Sequence, residues 1–365
     1  VGEEMATNKN QHFVPRVYLR RFTSRNDAQI NLFNLDRRKL IRNAPVKNQC
    51  SGDYFYGQDP ALEAAIQELE SGYGKAMRAL DAGIINFGAG HKIVFKLFWL
   101  FQHLRTEAAA RRSMEMMEGL GDLAGADPQE FTANIKAAVR AGCVAFTDTM
   151  HQIDDLKFCL LKNKTPIPFI TSDNPAVLTN KWRLDRNRSP GLSFGLGSAG
   201  MIALLPLRPD LLFVGYDGDV YHLPKRNGIA EIKNASDVTA FNRHQFLQCH
   251  ANIYTNDSIS EENLIDLYAQ IESLRPVPRH VTHYAVLASQ ADGYERYEVT
   301  TRDNILPGQT AMIHSQVIHP HPGAWPSQIT IRANGSVYTN NTGAGYRRRS
   351  GTAGASQHQW VRERP

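Results

Sequence analysis

Residues 11–22 read QHFVPRVYLRRF, and three of their side chains, His12, Arg16 and Arg20, are of types that handle phosphate. Imidazole gains and loses a proton near neutral pH, so His12 could serve as general acid or base. A guanidinium presents a planar fork of donors matching two oxygens of a phosphate or a carboxylate. Arg16 and Arg20 could therefore hold an anion and stabilise charge developing on it. Between positions 9 and 25 there are five Lys or Arg and no Asp or Glu. Cations so dense need a partner, either carboxylates from elsewhere in the chain or a bound phosphate.

The local pattern says how these groups are presented. Pro15 pre-sets φ and lacks an N–H that a first helical turn would leave unpaired, so it suits a helix start. Val14, Val17, Tyr18 and Phe22 then form one apolar stripe, with Arg16 and Arg20 one turn apart beside it and His12 just ahead. Acids come from the next helix. Asp59 followed by Pro60 is a capped start, and Leu62, Ile66, Leu69, Tyr73, Met77 and Leu80 keep helical spacing. Glu63 and Glu70 share the adjoining face with Gln67 between them, which makes them the natural carboxylate partners of Arg16 and Arg20.

The order of elements predicts an α+β fold. Residues 29–35 and 40–46 read as a hairpin. A long helix is expected over 91–117, then a Gly/Ala/Asp break at 119–127 and a third helix from Pro128 to 151. From 156 the period changes to strands, at 156–163, 169–171, 201–207 and 211–216. Helices follow at 236–252, capped by Ser236, and at 261–274, then a strand pair at 282–289 and 294–299. Helices followed by strands predict a helical bundle packed on a mixed, largely antiparallel sheet over residues 9–300. Residues 301–345 read as a loop-rich extension with a hairpin over 328–339 turning at Asn334-Gly335. Residues 346–365 read as a basic disordered tail.

Three further motifs have competing explanations. Gly195-x-Gly197-x-x-Gly200 matches a dinucleotide fingerprint by letter. It follows a Pro-containing loop and precedes an apolar strand, so we reject it as a phosphate cradle. His314, His319 and His321 could hold zinc or nickel, but Pro320 and Pro322 favour an extended loop with no Cys or carboxylate close by. Ser172-Asp173-Asn174-Pro175 ends a short strand. It is either an Asx turn or a polar trio of the kind from which sites are built.

Four stretches together resemble the bacterial domain-of-unknown-function family number 4238: QHFVPRVYLRRF, FQHLRTE around Arg105, FITSDNPAVL around Asp173, and LLPLRPDLL around Pro206. The resemblance spans residues 9–290. It implies a shared fold and a shared site, and no activity. It favours a functional role for Asp173 and Asn174. Arg105, inside the second motif, joins Arg16, Arg20 and Asn174 as a candidate substrate-binding residue.

Composition narrows the class. Apolar residues at 42% and charged residues at 21% describe a globular chain with a sizeable core. The longest apolar run, 93–101, is too short to span a bilayer and is interrupted by Lys96. VGEEMATNKN lacks the pattern of a secretory leader. Cys50, Cys143, Cys159 and Cys249 form no C-x-x-C pair, which argues against a zinc ribbon or redox motif and suits a reducing cytosol. A cytoplasmic location is expected. The net charge is +5, and the segment from Tyr346 holds five arginines against Glu363, so the body is nearly neutral. The basic balance is therefore poor evidence that the body binds nucleic acid.

Two functions remain. The first is a nuclease or phosphodiesterase whose partner is nucleic acid or a nucleotide. His12 and Asp173 would be catalytic and Arg16, Arg20, Arg105 and Asn174 would bind substrate. Glu63 and Glu70 would orient the base or hold a divalent ion such as Mg²⁺. The second is a non-catalytic structural or interaction module of a defence or toxin system, in which the same residues form an ion network.

Overall fold

The computed structural model describes residues 9–24, 27–83, 88–124, 135–186, 193–277, 279–291, 294–340, 345–352 and 360–365. The fold is α+β. Asn10–His12 (β1) pairs antiparallel with Ser51–Asp53 (β4), placing His12 opposite Ser51. Between them Gln29–Asn34 (β2) and Lys39–Pro45 (β3) form the expected hairpin. That hairpin continues through Asn252–Thr255 (β12) to Thr171–Ser172 (β6), a four-stranded sheet in the order β3-β2-β12-β6.

A second sheet contains Lys157–Asn163 (β5), Val177–Thr179 (β7), Ile202–Arg208 (β8), Leu211–Tyr216 (β9) and Ile229–Ile232 (β11), in the order β11-β5-β9-β8-β7. Only β11 and β5 run parallel. The chain thus builds two main sheets where one was expected, because β6 pairs with β12 and not with its sequence neighbours. Strands β8 and β9 are buried along almost their whole length. Burial on both faces explains why they read as continuous apolar runs without alternation.

The helices cover these sheets. Arg16–Leu19 (α1) is one turn that tightens into a 3₁₀ turn through Phe22. Its Tyr18 is fully buried, with its hydroxyl 2.6 Å from Thr171 Oγ1 and 2.6 Å from the Pro206 carbonyl, so α1 is pinned to both sheets. Pro60–Asp81 (α2) starts as expected, with the Asp59 carboxylate accepting from the N–H of Ala61 and Leu62. Tyr73 of α2 stacks on Phe98 at 4.0 Å, inside the apolar core.

The expected helix over 91–117 is two helices. Ala89–Arg105 (α3) ends at Thr106, whose backbone is extended, and Glu107–Ala124 (α4) begins there. Thr106 Oγ1 accepts from the Ala109 N–H at 3.2 Å and donates to Asn174 Oδ1 at 2.7 Å. The helix α4 continues through the backbone of the expected Gly/Ala/Asp break as far as Ala124. Positions 125–128, Pro128 included, lie outside the described residues. Ile135–Thr149 (α5) packs closely on α3: a Cβ added at Gly142 would meet the Leu104 carbonyl oxygen at 2.5 Å. Trp99 of α3 donates to the Leu204 carbonyl of β8 at 3.1 Å. Lys181–Arg186 (α6), Ala235–Gln248 (α7) and Glu261–Ala269 (α8) complete the set, α7 being capped by Asn234 in place of Ser236.

The C-terminal third departs furthest from expectation. His280–Ala291 (β13) and Tyr294–Thr300 (β14) pair as expected. Ala311–Val317 (β15) closes on β13's other edge, so the segment beyond 300 is part of this sheet. The hairpin expected over 328–339 does not form. Thr330–Ile331 (β16) pairs with Tyr221–His222 (β10), while Val337–Thr339 (β17) pairs with Tyr346–Arg347 (β18) and Val361–Glu363 (β19). Gly335 is needed for a close approach instead: a Cβ there would meet the Asp219 carbonyl oxygen at 2.5 Å. The 195–200 loop leads into β8 and not into a helix, in keeping with its rejection as a dinucleotide fingerprint. Among the described residues no helix is long and apolar enough to cross a membrane.

The described residues of the basic tail are also docked. Arg348 is buried, donating to Asp155 at 2.9 Å, to the carbonyls of Leu196 at 2.6 Å and Ser198 at 3.1 Å, and to that of Gln152. A buried guanidinium must be paired, and this one finds its acid almost two hundred positions away in sequence, which composition does not reveal. Arg348→Ala should destabilise the fold by about 3 kcal/mol, the scale for breaking a buried pair. Urea denaturation reads this directly, and an unchanged midpoint would show the anchor to be idle.

Candidate functional site

One cleft gathers four of the residues singled out by type and spacing. His12, Arg16, Glu63 and Glu70 line it together with Gln11, Tyr56 and Gln67, around a cavity of about 160 Å³. The β1 strand presents His12, Pro15 turns the chain, and α1 presents Arg16. The first three turns of α2 supply Glu63, Gln67 and Glu70 from one face.

His12 is half-buried, with Nε2 3.2 Å from the Lys47 carbonyl. A carbonyl only accepts, so Nε2 carries the proton and the neutral ring keeps its lone pair on Nδ1. Burial lowers the imidazole pKa below 6.5, and the positive charges of Arg16 and Arg105 lower it further, while the Lys47 carbonyl opposes them. The ring is thus neutral at pH 7 and able to take a proton. Arg16 is exposed and has no ion-pair partner among the described residues. Glu63 accepts from Gln67 at 3.3 Å.

Glu70 pairs with Arg105, not with Arg16 or Arg20. Arg105 is completely buried, and its Nη2 donates to Glu70 Oε1 at 2.9 Å. With its amide oxygen turned toward Arg105, Gln102 accepts from Nε at 2.8 Å and from Nη2 at 2.7 Å. Nη1 has no hydrogen-bond partner among the described residues. The guanidinium instead lies 4.4 Å from the Phe101 ring centroid and 5.6 Å from that of Tyr56, where the ring faces attract a cation. Tyr56 also donates to the His12 carbonyl at 2.9 Å, which links the buried pair to the histidine strand.

The other candidates lie elsewhere. Arg20 is exposed and does not line the cleft. Residues four apart share a face only while the α-helix lasts, and α1 turns 3₁₀ after Leu19, which swings Arg20 away. Asp173 was expected to share the cleft and does not line it. It is buried and fully used: Oδ1 accepts from the His250 N–H at 2.7 Å, and Oδ2 from the N–H of Ala251 at 2.7 Å and Asn252 at 2.8 Å. Burial raises its carboxyl pKa, and the three N–H donors pull it back down. Asn174 accepts from Thr106 and donates to the Gln248 carbonyl at 2.9 Å. The Ser172-Asp173-Asn174 turn therefore clamps the α3–α4 break, next to Arg105, and the end of α7.

His314, His319 and His321 do not converge. His319 stacks on Phe194 at 3.8 Å with its pKa lowered by burial to about 3, His321 pairs with Asp185 at 2.9 Å, and His314 sits in β15. Among the described residues no group of three His, Cys, Asp or Glu is arranged to hold a metal ion. Tyr56 and Gln11 were missed because strand-end and loop residues carry no periodic signal. Gln67 was visible between the two glutamates.

An α+β body with a His/Arg/Glu cleft between its N-terminal segment and its first long helix defines the class. The chain belongs to the family of proteins of unknown function DUF4238, whose model matches residues 10–258. The matched span begins at a residue that lines the cleft and takes in the Asp173 clamp. No characterised protein and no solved structure matches the chain.

Removing Arg105 orphans Glu70, whereas Arg16 leaves no partner behind. Arg105→Ala should therefore cost about 3–5 kcal/mol of stability and Arg16→Ala less than about 0.5 kcal/mol. Thermal unfolding of the two variants beside the wild type checks this. Equal losses would mean that Arg16 also belongs to the structural network.

Proposed function

We propose that this cleft seats a phosphodiester and that the chain hydrolyses it, as a nuclease or phosphodiesterase. The observation that carries this reading is the pairing of an oriented, neutral His12 with an unpaired guanidinium, Arg16, in one open cleft. The cavity is smaller than the roughly 300–1,000 Å³ of pockets that enclose a whole ligand. It suits one phosphate of a chain lying across it.

In this reading Arg16 binds the non-bridging oxygens and stabilises the charge that grows on them. His12 Nδ1 takes the proton of the attacking water as its oxygen bonds to phosphorus. The ester bond opposite breaks, and the leaving oxygen takes a proton from solvent at the open mouth. Glu63 orients the water, and were a divalent ion such as Mg²⁺ bound, Glu63 would help hold it and the ion would supply charge neutralisation. Glu70 has a holding role, since Arg105 already neutralises it. That neutralisation also favours the second reading, a cleft that binds an anionic partner without turnover.

Labelled single- and double-stranded RNA and DNA, incubated with and without divalent metal, test the proposal. At least one should be cut. His12→Ala should lower the rate by about 10²–10⁴-fold, the scale of a lost acid–base group. The free-base form of His12 is required, so kcat/KM should rise with pH through a limb whose midpoint lies below 6.5, and Arg16→Ala should move that limb upward. Cutting that His12→Ala leaves unchanged would overturn the proposal. Binding without cutting would establish the second reading.

A further inference from the structure

Arg112, early in α4, carries a charge that the rest of the fold does not balance. Its side chain is half-buried, and Nη1 is closed off from solvent with no hydrogen-bond partner among the described residues. Among the described residues no carboxylate pairs with it. Glu115 shares its face of α4 one turn on, but is exposed and lies 3.4 Å from His280 Nδ1 at the start of β13. A guanidinium keeps its proton at neutral pH, so it does not escape by neutralising itself.

The neighbours add charge of the same sign. The helix α4 packs on β13, which brings Arg279, the residue before that strand, up to Arg112. Burial and the charge of Arg279 pull the Arg112 pKa down to about 10, with Glu115 opposing them. Arg279 is half-buried and donates to the carbonyls that end α7, Cys249 at 2.9 Å and Gln248 at 3.4 Å. Arg275 caps the same end through the Cys249 carbonyl at 3.1 Å. Those two arginines face the negative end of a helix dipole. Asp173, the nearby buried acid, is occupied by its three backbone N–H groups.

Two uncharged imidazoles stand close by. His103 of α3 is stacked on Trp99 at 5.2 Å, with Nδ1 3.2 Å from the Ala176 carbonyl. Burial, with the charge of Arg112 adding to it, lowers His103 to about 4, and burial above all lowers His319 to about 3. Both rings are neutral at pH 7, so the positive charge here belongs to the guanidiniums. His103 and Arg105 are two residues apart on α3, or about 200° round the helix, so this cluster lies on the opposite side of α3 from the His12 cleft.

We propose that Arg112 and Arg279 bind a phosphate group, either the free ion or the phosphate of a monoester, in a site separate from the His12 cleft. A doubly charged tetrahedral anion offers oxygens to both forks and balances both charges. The site does not depend on the reaction proposed at His12.

Isothermal titration of full-length Arg16→Ala, which lacks the anion-binding guanidinium of the first cleft, tests this with inorganic phosphate, AMP and succinate. Phosphate should bind saturably at one site per chain. Adding Arg112→Met should weaken that binding at least about tenfold. It should also abolish the rise in melting temperature that phosphate, but not chloride at the same ionic strength, gives the parent. Arg279→Gln in the same background should weaken binding in the same direction and keeps the test if the first variant fails to fold. AMP binding more tightly than inorganic phosphate would identify the phosphate of a larger ligand, and the reverse would identify the free ion. No saturable binding in this background, binding that neither substitution moves, or succinate binding as tightly as both phosphates would each overturn the proposal. Cutting of nucleic acid bears only on the His12 cleft, so the two readings fail separately.

Discussion

The buried pair between Arg105 and Glu70 is the constraint from which the candidate site follows. A guanidinium with no solvent exposure must be compensated, and it is compensated by one carboxylate, one amide and two ring faces. Those partners come from α2, α3 and the Tyr56 loop, so the pair sets where the C-terminal end of α3 meets the face of α2. Glu70 is thereby held as a wall of the cleft. With that acid taken, Arg16 has no ion-pair partner among the described residues, on a rim anchored by the apolar contacts of α1.

Three devices keep this geometry in place from a distance. Thr106 stops α3 one residue after Arg105, so the guanidinium sits at a helix end. Asn174 holds Thr106, and Asp173 holds the backbone that leads into β12. Tyr18 joins α1 to both sheets through two short hydrogen bonds. A carboxylate that accepts from three backbone N–H groups is occupied, which is the physical reason Asp173 supports the site without entering it.

What was legible in the chain was local. Pro15, the Asp59-Pro60 cap and the apolar stripe of α2 placed His12, Arg16, Glu63 and Glu70 within reach of one another, because each rests on helical periodicity or capping chemistry. What was not legible depended on partners far along the chain. Nothing near Arg105 announces that it takes Glu70 away from Arg16. The tightening of α1 that removes Arg20 is a single 3₁₀ turn, Arg20–Phe22. The Thr106 cap was masked by apolar spacing that continues across it. Arg348 looked like part of a solvated tail because its acid, Asp155, lies on the other side of the molecule's sequence. The Asn334-Gly335 hairpin signal was overruled when each flanking strand found a longer-range edge.

The central claim is that Arg16 delivers a phosphate to an uncharged His12. Nuclear magnetic resonance of the His12 ring nitrogens, followed over pH with and without a non-hydrolysable dinucleotide phosphodiester, tests it most directly. The account predicts an imidazole pKa below 6.5 in the free protein, protonated at Nε2 when neutral. It predicts a saturable upward shift of that pKa when the phosphate anion binds beside the ring, lost in Arg16→Ala. A His12 titration that the phosphodiester leaves unmoved, or moves equally without Arg16, would contradict it.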